Sequence, residues 1–196
     1  MGAEGFTEHG FRHASLVSAI SRQVLHRLGY SFRECELAEI AGYLHDIGNV
    51  ASRSEHGRVG AALAMPLLFE LGMDPVEVAT ILGAIGNHED EVGQAVNPVA
   101  AALILADKSD VHRSRVRNPD FAKFDTHDRV NYAVIRSFLN VDGGHRTLTL
   151  DLTVEVDVVP IMEYFEIFLT RMVMCRRAAE FLSARFGLVI NGTTLL

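Results

Sequence analysis

Six side chains with metal-binding chemistry recur through the first half of the sequence, at His13, His45, Asp46, His56, His88 and Asp107. Imidazole nitrogens and carboxylate oxygens are ligands for Zn, Fe, Mn or Mg. The carboxylate of an Asp beside a His, such as Asp46, can also bridge two ions through its two oxygens. The residue types and their order therefore indicate a site of the two-metal hydrolase kind.

The segments that carry these side chains have the apolar spacing of helices. In the first segment Val17, Ile20 and Val24 follow this spacing. Asp74 and Asn97 are each followed by a proline, and an N-cap before a proline opens a helix. The sequence predicts five helices, over residues 11–28, 33–47, 55–71, 74–88 and 97–107.

Each predicted helix carries a candidate ligand inside it or at one end. His13 lies on the inward face of the first helix, and the His45-Asp46 doublet occupies the last turn of the second. His56 falls in the first turn of the third helix, for which the candidate N-caps are Ser52 and Ser54. Several helices can thus direct their ligands to one point.

The two acids argue for a metal more strongly than any single histidine does. A lone histidine in an apolar helix is more often a hydrogen-bonded polar residue than a ligand. Asp46 is different, because a carboxylate near a helix C-terminus is disfavoured by the helix dipole and lies here beside Leu44 and Ile47. Asp107 raises the same question at the end of an almost wholly apolar helix. Both acids need a compensating charge, such as a bound cation.

The last third of the chain has the pattern of a different structure. Residues 146–158 alternate strictly between apolar and polar, which predicts a strand with one buried face. Residues 130–141 are rich in β-branched and aromatic side chains, and Asp142-Gly143-Gly144 is a turn signal, so a β-hairpin is expected. A long helix should follow from Pro160 to about Phe186, and residues 188–195 could add a short strand.

The expected fold is therefore mainly α, with a five-helix core and an appendage of one hairpin and one long helix. We place the core at residues 1–117 and the appendage at residues 118–196, with the polar stretch 113–128 as the joining loop. The long helix carries an apolar stripe, which predicts packing on the hairpin or a homodimer. The stripe consists of Met162, Phe165, Phe168, Leu169 and Met172.

Five short motifs resemble those of the HD-domain metal-dependent phosphohydrolases. They are RHASLV, GYLHDIGN, SEHGRVGAAL, IGNHE and ILADKSD, in that order across residues 11–117. The GYP signature of the cyclic-di-GMP phosphodiesterases is absent, and the closer likeness is to the branch that includes symmetrical diadenosine tetraphosphate hydrolases. The resemblance implies that two divalent ions bind per chain, one at His13, His45, Asp46 and Asp107, and one at Asp46, His56 and His88.

The same resemblance implies a reaction. A water activated by the two ions would cleave a phosphoester or phosphoanhydride of a nucleotide or another small phosphorylated substrate. Besides Asp46, we expect Lys108 and Glu89 to contribute to catalysis, and Lys108 and Arg113 to bind substrate phosphate. Two alternatives remain open. Some proteins of this superfamily are dinuclear iron oxygenases, and a non-catalytic nucleotide sensor would also use such a core.

The composition and net charge of the chain limit the kinds of partner that it can bind. The 196-residue chain has a formal net charge of −7, which argues against binding a nucleic-acid polymer. It has no apolar run long enough to span a membrane and no signal-peptide pattern, so we expect a cytoplasmic protein. Its two cysteines, Cys35 and Cys175, are expected to be buried and reduced.

Overall fold

A computed structural model of the protein describes residues 10–89, 93–116, 124 and 126–196. This part of the chain forms seven α-helices and four β-strands. In chain order they are α1 (Phe11–Arg27), α2 (Phe32–Leu44), α3 (His56–Glu70), α4 (Pro75–Gly86), α5 (Pro98–Ser109), α6 (Thr126–Ala133), β1 (Val134–Asp142), β2 (Thr147–Val154), α7 (Ile161–Phe181), β3 (Arg185–Ile190) and β4 (Thr193–Thr194).

The helix α5 forms the centre of the molecule. Every residue from Val99 to Ser109 is buried, and α1, α2, α4 and α7 all pack against this helix. A helix that is apolar on all sides must be surrounded, because no face of it gains from contact with water. The predicted architecture is confirmed: the fold is mainly α, with a five-helix core and a C-terminal appendage that contains a hairpin and a long helix.

The helix ends near the candidate ligands differ from the predictions. The helix α2 ends at Leu44, so His45 and Asp46 lie beyond its last turn and lead into a short 3₁₀ helix, Ile47–Val50. This 3₁₀ helix packs tightly on α3, and a Cβ at Gly48 would lie 2.0 Å from the carbonyl oxygen of His56. A continued α2 could not make that contact.

Two other helix ends were also misplaced by the sequence pattern. The N-cap of α3 is Glu55, which has a left-handed backbone (φ 58) and makes no side-chain cap, so the prediction of Ser52 or Ser54 was wrong. The helix α4 ends at Gly86, so His88 follows the helix instead of ending it. Both differences amount to one to three residues, the scale on which a local pattern locates helix ends poorly.

The four strands form one sheet in the order β1-β2-β3-β4. The hairpin of β1 and β2 is antiparallel as predicted, and alternate residues of β2 are buried from Leu148 to Val154. The helix α7 then crosses over, and β3 pairs in parallel with β2. Residues 130–133, predicted as strand, belong to α6, and α7 ends at Phe181 because the chain turns through Ser183 (φ 54) into β3.

The appendage packs on the helical core through its hairpin and α7. The helix α7 contacts α5, and the Ser137 hydroxyl of β1 donates to the carbonyl oxygen of Ser109 at 2.5 Å. The hairpin turn abuts the end of α1, where a Cβ at Gly143 would lie 2.0 Å from the carbonyl oxygen of Arg27. The predicted boundary between residues 117 and 118 lies outside the described residues. Among the described helices, none is long and apolar enough to cross a membrane.

Candidate metal centre

Five elements bring the six candidate ligands to one place. His13 lies on α1, His45 and Asp46 follow α2, and His56 is the first residue of α3. His88 follows α4, and Asp107 lies on α5. His13, His45, His88 and Asp107 are buried, so their polar atoms must find partners inside the protein.

The first group of ligand atoms comes from α1, α5 and the end of α2. The Nε2 atom of His13 lies 3.2 Å from Nε2 of His45 and 3.2 Å from Oδ1 of Asp107. Ligand atoms about 2.1 Å from one ion lie roughly 3.0 to 3.4 Å apart at octahedral or tetrahedral angles. His13, His45 and Asp107 therefore have the spacing of a metal site.

The second group comes from the start of α3 and the segment after α4. The Nε2 atom of His56 lies 3.1 Å from Nε2 of His88 and 3.3 Å from Oδ1 of Asp46. The rings of His56 and His88 meet edge to face, with their centroids 4.9 Å apart. This pair has the same ligand spacing as the first.

Asp46 lies between the two groups and turns one carboxylate oxygen to each. Its Oδ2 atom is 3.6 Å from Nε2 of His13 and 3.4 Å from Nε2 of His45. Its Oδ1 atom faces His56 and accepts a hydrogen bond from Nδ2 of Asn49 at 2.8 Å. A carboxylate in this position can bridge two ions.

The other ring nitrogen of each histidine is already engaged with an oxygen atom. Nδ1 of His45 is 2.8 Å from the carbonyl oxygen of Gly42, and Nδ1 of His13 is 2.7 Å from Oδ2 of Asp110. The Nδ1 atoms of His56 and His88 face the carbonyl oxygens of Arg53 and Ile85 at 3.0 and 2.6 Å. Carbonyl and carboxylate oxygens only accept, so Nδ1 carries the proton and each neutral ring presents the lone pair of Nε2.

The lone pairs of neighbouring rings then face one another and require a cation between them. Burial lowers the pKa of His45, and burial together with the charge of His45 lowers the pKa of His88 to about 3. Burial opposes the charge on His13 and His56, but hydrogen bonds to Asp107 and Asp110 raise the pKa of His13, and a hydrogen bond to Asp46 raises that of His56. Each pair thus joins one ring that stays neutral to one that attracts a proton, and a divalent cation fits the same position.

Asp107 remains ionised at the centre of this cluster. Burial opposes its ionisation, but the charge of Lys108 and a hydrogen bond from His13 hold its pKa well below the usual range. The Nζ atom of Lys108 is buried and lies 2.7 Å from Oδ2 of Asp107, on the side away from the oxygen that faces the histidines. Lys108 therefore lies beside the centre, and its roles in catalysis and phosphate binding stay predictions.

The remaining predicted residues lie in different surroundings. Glu89 accepts from the backbone N–H of Gly57 at 2.5 Å, and its Oε1 atom is 3.5 Å from Nδ1 of His56. Arg113 extends toward the appendage, where its Nη2 atom is 2.5 Å from Oε2 of Glu155 and its guanidinium lies over the ring of Tyr132. Catalysis by Glu89 and phosphate binding by Arg113 stay predictions.

The structure adds residues to the centre that the motifs did not single out. Asp110 is buried and contacts His13, Arg12 and Arg115. Arg115 is buried as well, although it follows α5 in a segment rich in charged side chains. Asn49 belongs to the GYLHDIGN motif, and its place three residues after Asp46 was the only sign in the sequence of the hydrogen bond between them.

Comparison with known proteins agrees with this geometry. The sequence profile described as HD domain matches residues 10–112, which contain all six candidate ligands. The chain belongs to the HD domain family. The family is one of metal-dependent hydrolases, and the His and Asp clusters of this HD domain are consistent with divalent-metal binding. No curated protein matches the chain.

Proposed function

We propose that this HD domain protein is a phosphohydrolase with two divalent ions per chain, and that it cleaves a phosphoester or phosphoanhydride of a nucleotide or another small phosphorylated substrate. The observation that carries the proposal is the position of Asp46. Its Oδ2 atom faces His13 and His45, and its Oδ1 atom faces His56. A one-metal centre has no use for the second group of ligands.

The proposed ligands divide into two sets that share Asp46. His13, His45, Asp46 and Asp107 would hold the first ion, and Asp46, His56 and His88 the second. Two bound divalent cations would supply the chemistry of a two-metal hydrolase, which is to lower the pKa of a water molecule and to neutralise charge on phosphate oxygens. Fe, Mn, Zn and Mg all accept parts of this donor set.

The protein's own residues supply the orientation. The acceptors at the four Nδ1 atoms fix each ring so that Nε2 points inward, and Asn49 fixes the carboxylate of Asp46. Lys108 adds a positive charge beside Asp107, which suits a substrate that carries several negative charges. Because the chain as a whole is acidic, such local cations are needed to attract a phosphate.

The test is hydrolysis of a panel of nucleotides and small phosphoesters by the full chain, loaded with Mn²⁺ under anaerobic conditions and followed as release of inorganic phosphate or of a nucleoside phosphate. We expect release that depends on the metal and is lost in Asp46→Ala, which removes a ligand from both ions. A matched control is Asp151→Ala, since Asp151 lies on β2 and pairs with Arg136. Hydrolysis without oxygen also separates this function from a dinuclear oxygenase, which needs O₂, and from a sensor, which releases no product.

A further inference from the structure

One histidine of the metal centre is oriented differently from the other three. The Nδ1 atoms of His45, His56 and His88 each face the carbonyl oxygen of the residue three positions earlier. A backbone carbonyl is present whatever the side chain at that position. Nδ1 of His13 instead faces a carboxylate, Oδ2 of Asp110, at 2.7 Å and 97 positions away in the sequence. This contact depends on one particular side chain.

The carboxylate of Asp110 is itself held from two sides. On one side Nη2 of Arg12 lies 3.0 Å from its Oδ2 atom. On the other side Arg115 donates from Nη1 to the backbone carbonyl oxygen of Asp110 at 2.8 Å, and its Nε atom is 3.7 Å from Oδ2. The side chain of Asp110 is only 3% exposed, and a buried carboxylate of this kind persists only when it is paired. The contact with His13 therefore belongs to a fixed network.

We propose that Asp110 is a positioning residue, which holds His13 with Nε2 directed at the first ion and strengthens the binding of that ion. This role rests on the proposed two-metal function. A carboxylate that accepts the Nδ1 proton of a ligating histidine fixes the ring and increases the electron density on the metal-binding nitrogen. His13 gains this effect from a carboxylate at hydrogen-bond distance, whereas Nδ1 of each of the other three histidines contacts a carbonyl oxygen, which carries no full charge. The carboxylate of Glu89 lies further from Nδ1 of His56, with its Oε1 atom at 3.5 Å.

The proposal makes the two metal positions unequal. The first position has the carboxylates of Asp46 and Asp107 as ligands, with Asp110 behind His13. The second position shares Asp46 but has no carboxylate of its own, and its ligand His56 is the most exposed of the four histidines. The first ion should therefore bind more tightly, and Asp110 should contribute to that difference.

A metal titration of the full chain tests the role without any activity measurement. Metal-free protein is titrated with Mn²⁺ by calorimetry, for the parent and for Asp110→Asn, which keeps the shape of the side chain and removes its charge. We expect the tighter of the two ions to bind about 10- to 100-fold more weakly in Asp110→Asn, which is the usual effect of removing a hydrogen-bond partner of a metal ligand. The affinity for the second ion should not change. The control Glu77→Gln removes a carboxylate that pairs with Arg33 and should leave both affinities unchanged.

The outcomes separate this role from the proposed function. Binding of both ions by Asp110→Asn with the parent's affinities would overturn the positioning role and leave the two-metal centre intact. A parent chain that binds fewer than two Mn²⁺ ions would overturn the proposed centre and the role with it. If Asp110→Asn does not fold, ¹⁵N-histidine spectra of the Zn²⁺-loaded parent decide: the proposal requires a proton on Nδ1 of His13, and coordination through Nδ1 would overturn it.

Discussion

At the scale of single residues, the centre combines histidines whose pKa values are shifted in opposite directions. Burial lowers the pKa of His45 and His88, while hydrogen bonds to Asp107 and Asp46 respectively raise the pKa of His13 and His56 above the usual 6.5. Each candidate metal position therefore contains one ring whose lowered pKa favours the neutral form and one whose raised pKa favours the protonated form. The ion competes with that proton.

This competition predicts how metal binding depends on pH. A histidine must lose its Nε2 proton before it binds a metal, so a raised pKa extends the competition to higher pH. We expect the affinity for Mn²⁺ to increase from about pH 6 to about pH 8, and binding at about pH 7 to release protons. Calorimetry in buffers of different ionisation enthalpy measures both effects. An affinity that stays constant across this range would contradict the competition between the ion and a proton on His13 and His56.

Lys108 and Arg113 offer a second prediction at this scale. Lys108 lies beside Asp107, and Arg113 pairs with Glu155 of the appendage. We expect Lys108→Met to lower kcat/KM for a phosphoester by tenfold or more, which corresponds to about 1.4 kcal/mol of transition-state stabilisation. Metal content is measured on the same sample, because the lost ion pair with Asp107 could also release an ion. Parent kinetics in Lys108→Met would place the phosphate elsewhere, and Arg113→Gln would be the next variant to measure.

At the scale of elements, the contact between the 3₁₀ helix and α3 fixes the distance between the two halves of the centre. Gly48 lies two residues after Asp46, and α3 begins with His56. A Cβ at Gly48 would lie 2.0 Å from the carbonyl oxygen of His56 and 2.5 Å from the backbone nitrogen of Gly60. Both neighbours are backbone atoms, so a methyl group can be accommodated only if α3 moves.

Gly48→Ala is therefore expected to separate the metal ligands as well as to destabilise the fold. We expect a loss of about 1 to 3 kcal/mol in the free energy of unfolding, typical of an overpacked site, together with weaker binding of the second ion. Gly86→Ala is the matched control, since the nearest atom to its Cβ would be the Cβ of Ala61 at 3.8 Å. Chemical denaturation and Mn²⁺ titration measure the two effects, and a Gly48→Ala protein equal to Gly86→Ala in both would contradict the close contact.

The elements also show what the sequence could predict. Strong local signals predicted α5 and the hairpin. Asn97-Pro98 marks the start of α5, and a long apolar run follows it. The strict alternation of apolar and polar residues from Leu148 to Val154 marks β2. The six candidate ligands followed from residue type and motif order, and the structure brings them together. The contact of His13 with Asp110 had no local signal, because it joins residues 97 positions apart. The parallel pairing of β3 with β2 was missed for the same reason.

At the scale of the whole molecule, the apolar stripe of the long helix is only partly available to a partner. Phe168 and Met172 are buried within the chain, whereas Met162 and Leu169 are 65% and 57% exposed. A second exposed apolar face lies on α3, where Leu67 is one of its members at 40%. The expected homodimer thus has two candidate surfaces, and the prediction from the sequence favours α7.

Light scattering at micromolar concentration checks the dimer. We propose that the chain is a homodimer through α7, so Leu169→Glu should produce a monomer by placing a charge in an apolar interface. Leu67→Glu on α3 is the matched control and should leave the dimer intact. A monomeric parent would contradict the dimer, and a dimer broken only by Leu67→Glu would move the interface to α3.

The most direct test of the two-metal centre is the number of ions per chain. Protein purified without chelator and saturated with Mn²⁺ is analysed by mass spectrometry of its metal content, for the parent, His56→Ala and His88→Ala. The arrangement around Asp46 predicts two ions in the parent and one in each variant, since Nε2 of His56 and Nε2 of His88 lie 3.3 and 4.0 Å from its Oδ1 atom, on the side of the second ion. One ion in the parent, or two retained in both variants, would contradict it.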